Sequence, residues 1–313
     1  MTAYRANPNY PVGPEEGSWA WRAERLAEQI HKVPNVILCQ SGTQALKILL
    51  RCCQIPSLLT TSALTFSATV SAMLAARHWP KFEDFPEDVP VDLFGAVRVK
   101  AKVAADSCQA VGIPPISDNG VWSFNGRKNV PAGEGGAIYT RDERVAEACR
   151  LMVNHGENFY NGDRFRNERR DICGENGHVN EQTACLIYHG LVAVVERNAR
   201  RTSLAGILRS IIGDHPRVTF PDLDRHALYV YPLVLDRDHT GVARKLAERG
   251  VEVQTGYIQP TLDQYPAFQR YPKGDLTVTH AMSRERLLVF PQVTPTATES
   301  EMEELGTEIR RAL

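Results

Sequence analysis

The 313-residue sequence predicts an α/β fold, with a mainly parallel central sheet flanked by helices and a small C-terminal α+β domain. Three observations carry this. Short apolar runs alternate with helix-like segments, as in strands joined by crossover helices. Polar or glycine-bearing turns follow several of those runs, where open α/β sheets bind ligands. After Gly213 the segments change style, as a second folding unit would.

Ser18 caps an amphipathic helix that runs to His31. Residues 36–39 form a short buried strand, and Gly42-Thr43 open a helix to about Cys53. Residues 58–61 read as a strand, 66–77 as a helix, and 81–85 as a strand that meets Pro86 and Pro90. Residues 99–105 read as a strand ending at Asp106, and 121–124 and 137–139 as two more. Asp142 caps a helix to about Asn154. The polar, charged stretch 155–177 reads as a long loop, a type that is often functional or mobile. Residues 180–212 read as one long helical pattern with a break near 197–202. Beyond it, strands are expected at 227–235, 251–254 and 286–290, and helices at 240–249 and 298–313. The domains are then 1–200 and 201–313, divided inside the long helix.

Composition excludes several classes of function. Net charge is −1 with no basic run, so no nucleic-acid footprint is expected. Seven irregularly spaced cysteines form no Cys-x-x-Cys pair with histidines, so no metal site is expected. The polar N-terminus has no apolar core of a signal peptide, and no run approaches the roughly 18 apolar residues of a membrane span. A cytoplasmic protein is expected.

The chemistry concentrates at strand ends. Ser123-Phe124-Asn125-Gly126-Arg127-Lys128-Asn129 leads an apolar strand into a polar turn, and Gly133-Glu134-Gly135-Gly136 follows. A lysine held there, near hydroxyl and amide groups able to grip a phosphate, suits a pyridoxal-phosphate enzyme, whose aldehyde forms a Schiff base with the amine. The same turn also reads as a surface lysine beside glycines. Gly42 and Thr43, after Ser41, sit where helix N-terminal amides favour a phosphate, or simply begin a capped helix. Phe66 is placed to stack on a pyridine ring, or to fill a core. Asp106 at its strand end is placed to keep a pyridinium nitrogen protonated, or to cap a helix. Gln109 is placed to contact the ring hydroxyl. Asn176, in Gly174-Glu175-Asn176, is placed to reach a phosphate, or belongs to a helix-entry loop.

In this order, the chain resembles the DegT/DnrJ/EryC1/StrS family of sugar-nucleotide aminotransferases, within fold type I. The resemblance rests on Gln40 to Leu46, Asp106-Ser107-Cys108-Gln109-Ala110, Ser123-Phe124, Lys128-Asn129, Gly133 to Ala137 and Asn154-His155-Gly156. It implies a fold type I enzyme with pyridoxal 5′-phosphate. Lys128 would be the Schiff-base lysine and proton shuttle, Asp106 the ring-nitrogen partner, and Gln109 the ring-hydroxyl contact. Phe66 would stack on the ring, and Gly42, Thr43 and Ser123 would form the phosphate cup. Asn176 would be lent to a neighbour's phosphate across a homodimer with shared active sites. The implied reaction moves an amino group from an amino acid, glutamate first, to a carbonyl on a nucleotide-linked sugar or related metabolite. The alternative is a decarboxylase, lyase or isomerase acting on an amino-acid-like or nucleotide-attached amino substrate.

Three departures bear on the substrate. The chain is trimmed between Phe85 and Val103; His178 stands where the family has Arg or Lys; and Val253-Gln254-Thr255-Gly256-Tyr257 lacks the Arg and His usual before its tyrosine. Arg164, Arg166, Arg169 and Arg170 in the long loop are candidate replacement cations.

Overall fold

A computed structural model describes residues 14–159, 168–170 and 172–313. The elements run α1 (Trp19–His31), β1 (Asn35–Cys39), α2 (Gly42–Cys52), β2 (Leu58–Thr61), α3 (Ser67–Ala75), β3 (Trp79–Phe82), β4 (Ala105–Asp106), β5 (Asn119–Ser123) and β6 (Gly136–Thr140). They continue through α4 (Glu143–Val153), β7 (Glu157–Phe159), β8 (Glu168–Arg170), α5 (Glu181–Ile212), β9 (Val218–Thr219), β10 (Tyr231–Leu235), α6 (Thr240–Glu248), β11 (Gln254–Thr255), α7 (Thr277–Ala281), β12 (Leu287–Phe290) and α8 (Glu299–Ala312).

The strands assemble as the α/β reading expects. β2 pairs in parallel with β3, and single parallel bridges through Val89 and Val91 join β2 to β4. β4 runs parallel to β5, while β6 is antiparallel to both β5 and β1. The order is thus β3-β2-(89–91)-β4-β5-β6-β1, with one reversed strand. β1 and β6 are almost wholly buried apolar runs, as strands covered on both faces must be. Two apolar cores cover the faces. One gathers α2, α3 and α4 with Ile37, Val121 and Ile138; the other gathers α1 and α5 with Leu38, Trp122 and Tyr139.

Local signals set the helix starts. Ser18, Ser41, Asp142, Asn180 and Thr298 each accept a first-turn backbone N–H through the side chain. Each offsets at least one orphan donor, Asp142 two, and such a cap contributes roughly 1 kcal/mol.

Several expected elements differ. Residues 99–104 do not join the sheet; only Ala105 and Asp106 pair. Lys100 and Lys102 turn outward to Asp118 and Glu87. α5 runs unbroken for 32 residues. Its buried polar groups are satisfied without breaking it: Asn198 Nδ2 donates across to the Val111 carbonyl at 3.0 Å, and Arg201, one turn along the same helix, donates to Asn198 Oδ1 at 3.0 Å. β3 lies at Trp79–Phe82, earlier than expected, and β10 begins only at Tyr231, after Leu228 in the left-handed region (φ 48°). The loop 155–177 contains the antiparallel pair β7–β8.

α5 spans two cores. Ala184 to Val194 pack beneath the large sheet, and Leu204 to Ile212 pack against β10, β12, α6 and α8. Segment 262–276 returns to the first body, where Leu262, Tyr271 and Leu276 pack on Ala63, Val70 and Phe82.

Candidate active site

The carboxyl ends of β1, β4 and β5 open onto a cavity of about 720 Å³. Gly42, Thr43, Phe66, Asp106, Gln109, Ser123 and Lys128 all line it. Asn176 does not. It is exposed, its carbonyl accepts from Gln40 Nε2 at 3.1 Å, and its backbone bridges Asn154.

α2 aims its N-terminus at this cavity. Ser41 Oγ accepts from the Gln44 amide at 3.2 Å, leaving the amides of Gly42 and Thr43 at the helix mouth. Glycine is required at 42 by packing: an added Cβ would lie 2.8 Å from Cys108 Sγ and 3.0 Å from Ser123 Cβ. The helix end therefore sits directly on the strand that leads to Lys128.

A doubled-back turn holds Lys128. Its amide donates to the Asn125 carbonyl at 2.8 Å, and Gly126 donates to the Gly133 carbonyl at 2.8 Å. Gly133 has φ 80°, which explains a glycine there. Next door, buried Asn129 donates through Nδ2 to the Ala227 carbonyl at 2.9 Å, tying the turn to the C-terminal part of the chain. Lys128 Nζ lies 4.9 Å from the Tyr229 ring centroid.

The carboxylate of Asp106 is buried and held on both oxygens. Oδ2 accepts from Thr69 Oγ1 at 2.6 Å, and Oδ1 from the Cys108 amide at 3.2 Å. A carboxylate has about four acceptor positions, so capacity remains for a donor from the cavity. Gln109 is fixed at both ends: its Oε1 accepts from the Phe94 amide at 2.6 Å and its Nε2 donates to the Tyr257 hydroxyl at 2.6 Å. One Nε2 hydrogen stays unspent. Burial, then neighbouring Tyr229, pushes the Tyr257 hydroxyl up to about 12, so it stays protonated at neutral pH. Phe66 stands at the N-cap of α3 and is 63% exposed, so it is not a core residue.

Tyr229, Tyr257, Arg127 and Thr69 are not named as site residues from the sequence, although Arg127 stands in the Lys128 turn. Tyr257 lay in a segment singled out for its departure from pattern; Thr69 gave no signal, because its role depends on which segments pair. His178 Nε2 lies 2.8 Å from Asn154 Oδ1, and burial followed by nearby His155 lowers its proton affinity. Arg164 and Arg166 lie outside the described residues, and of Arg169 and Arg170 only the backbone, in β8, is described.

The chain as a whole is similar in sequence and in fold to known proteins. The chain is 30% identical over 223 residues to the erythromycin biosynthesis sensory transduction protein EryC1 of Saccharopolyspora erythraea, covering 64% of this chain and 58% of that protein. It thus spans less than two thirds of that relative's length. It is 25% identical over 325 residues to the UDP-N-acetyl-3-dehydro-alpha-D-glucosamine 3-aminotransferase of Acidithiobacillus ferrooxidans, covering 90% of this chain and 85% of that one. The solved structure of Helicobacter pylori PseC, an aminotransferase involved in the biosynthesis of pseudoaminic acid, superposes with a TM-score of 0.80 at 18% identity, over 95% of this chain and 91% of that one. The family model matches residues 15–91 and 95–310, and the chain belongs to the DegT/DnrJ/EryC1/StrS aminotransferase family.

Proposed function

We propose that this chain is a pyridoxal-phosphate-dependent aminotransferase. It would move an amino group from an amino acid, glutamate first, to a carbonyl on a nucleotide-linked sugar or related metabolite. The observation that carries the reading is the meeting of Lys128, Asp106, Gln109, Ser123, Phe66 and the α2 N-terminus in one cavity. Relatives named as nucleotide-sugar aminotransferases support the substrate class.

The residues fit the cofactor. The α2 mouth and Ser123 offer amides and a hydroxyl to a phosphate. Asp106 keeps acceptor capacity toward the cavity, Gln109 keeps one donor, and Phe66 exposes a ring face. When bound, the cofactor supplies an electron sink that stabilises negative charge at the substrate carbon. Lys128 Nζ then removes a proton on one side of the exchange and returns it on the other, so its turn must be rigid. The Gly133 and Asn129 contacts supply that rigidity. Asp106 holds a proton on its partner atom, and Thr69 and the Cys108 amide keep its oxygens in place.

Lys128→Ala is expected to abolish turnover and the visible absorbance of the lysine-bound cofactor; retention of that absorbance would overturn the lysine's role. Glutamate alone, added to loaded protein, is expected to bleach the same band. One observation keeps the alternative reaction class in view: Arg127 and Lys128 are the only cations among the described lining residues. Failure of every common amino donor to bleach the band would favour a decarboxylase, lyase or isomerase.

A homodimer with shared sites belongs to the same reading. Asn176 is exposed and outside its own chain's cavity, and α5 exposes Leu186, Val192 and Val195. A large domain to residue 200 and a small one from 201 also belong to it, supported by the two cores that divide α5. No helix among the described residues is long and apolar enough to cross a membrane.

A further inference from the structure

A second buried carboxyl stands behind the site. Asp92 lies in the segment between β3 and β4, with its side chain almost fully enclosed. That segment runs alongside the end of β4 and grips it repeatedly. The Asp106 amide donates to the Pro90 carbonyl at 2.9 Å, and the Asp92 amide donates to the Asp106 carbonyl at 2.9 Å. Ser107 Oγ donates to Asp92 Oδ2 at 2.6 Å and lies 3.1 Å from the Tyr139 hydroxyl. Two residues on, the Phe94 amide holds Gln109. Three residues within 90–94, Pro90, Asp92 and Phe94, therefore fix the backbone of Asp106, the side chain of its neighbour Ser107 and the side chain of Gln109.

We propose that Asp92 is a positioning residue for the cofactor site, acting through Ser107 and the Asp106 backbone and, when ionised, strengthening the hold of Asp106 on a protonated ring nitrogen. The proposal rests on the reading of Asp106 as that nitrogen's partner. The titratable and charged groups facing Asp92 are Asp106 at the end of β4, Cys108 in the turn after it, Tyr139 on β6 and Arg225 from the segment before β10. Burial pushes the Asp92 carboxyl up to about 7; the Ser107 hydrogen bond and Arg225 act against that shift, and Asp106 adds to it. Below about 7 Asp92 is therefore neutral, and above it a second negative charge stands behind Asp106. That charge favours a proton on any base Asp106 holds.

The test uses full-length protein and pyridoxamine 5′-phosphate labelled with ¹⁵N in the ring. This form makes no covalent bond to Lys128, so no imine nitrogen titrates beside the ring; the free Lys128 amine is common to wild type and variant and drops out of their comparison. The ring-nitrogen shift is followed across the pH range, and affinity is measured by titration. Asp92→Asn keeps the acceptor for Ser107 and removes the charge. It is expected to bind the probe as wild type does at acid pH, while its bound ring nitrogen gives up its proton about one pH unit earlier. Asp92→Ala removes the acceptor as well and is expected to weaken binding about tenfold at every pH. Should Asp92→Ala fail to fold by circular dichroism, Ser107→Ala cuts the same link and is expected to weaken binding in the same direction. Overlapping ring-nitrogen titrations of wild type and Asp92→Asn would overturn the electrostatic role. Unchanged affinity in Asp92→Ala, or in Ser107→Ala where that replaces it, would overturn the positioning role. Absence of probe binding by wild-type protein would instead overturn the cofactor reading itself.

Discussion

At the residue scale, Asp106 shows how a carboxylate can be both buried and useful. Burying a charge is costly unless hydrogen bonds replace its water. Thr69 Oγ1 at 2.6 Å and the Cys108 amide at 3.2 Å replace part of that shell, and the cavity side stays open. Thr69 Oγ1 is in turn 3.0 Å from Thr65 Oγ1, so a short hydroxyl chain reaches from the loop before α3 to the carboxylate. Thr69→Val keeps the shape and removes the donor. A hydrogen bond to a charged group contributes about 1.5–3 kcal/mol. The variant is therefore expected to fold and to bind pyridoxal 5′-phosphate about tenfold more weakly, read by absorbance titration. Wild-type affinity in that variant would mean the Thr69 bond does not shape the site.

At the element scale, the features legible in sequence were those with local causes. Ser18, Asp142 and Thr298 mark helix starts because a cap needs only its own first turn, and each cap forms. Lys128, Asp106 and the Gly42-Thr43 turn were legible because each stands where an apolar run meets polar residues. What stayed hidden depends on pairing across the chain. The reversed β6, the failure of 99–104 to join the sheet and the unbroken α5 are decided by distant partners such as Val111 for Asn198. Asp92 and Thr69 were hidden for the same reason, since their worth follows from the parallel bridge of Val91 with Asp106 and from α3 packing. Gly42 tests how tightly these elements meet. Ala at 42 would press on Cys108 Sγ and Ser123 Cβ, and overpacking of this kind costs about 1–3 kcal/mol. Gly42→Ala is expected to lower the midpoint of urea unfolding. Cys108→Ala in the same chain removes the nearer obstacle and is expected to restore part of the loss. Strictly additive effects of the two changes would show that α2 and Cys108 do not meet at Gly42.

At the scale of the whole molecule, the cavity leaves one proposed contributor outside. Asn176 is exposed beside Asn154, while Lys128 and Asp106 face the cavity of the same chain. A dimer in which each chain lends its Asn176 to the other accounts for that separation, and two-fold symmetry would make both sites alike. Two damaged chains can then repair each other. Lys128→Ala removes the lysine but keeps an intact Asn176 to lend; Asn176→Ala keeps the lysine but lends nothing. In a randomly exchanged equal mixture, half the dimers are mixed and each holds one complete site, so about a quarter of all sites recover. Activity under limiting cofactor is therefore expected to rise, after subunit exchange, well above the mean of the separate variants. An unexchanged mixture is the control, and sedimentation reports whether dimers form at all. Activity that never exceeds that mean, in a sample shown to have exchanged, would place Asn176 outside the neighbour's site.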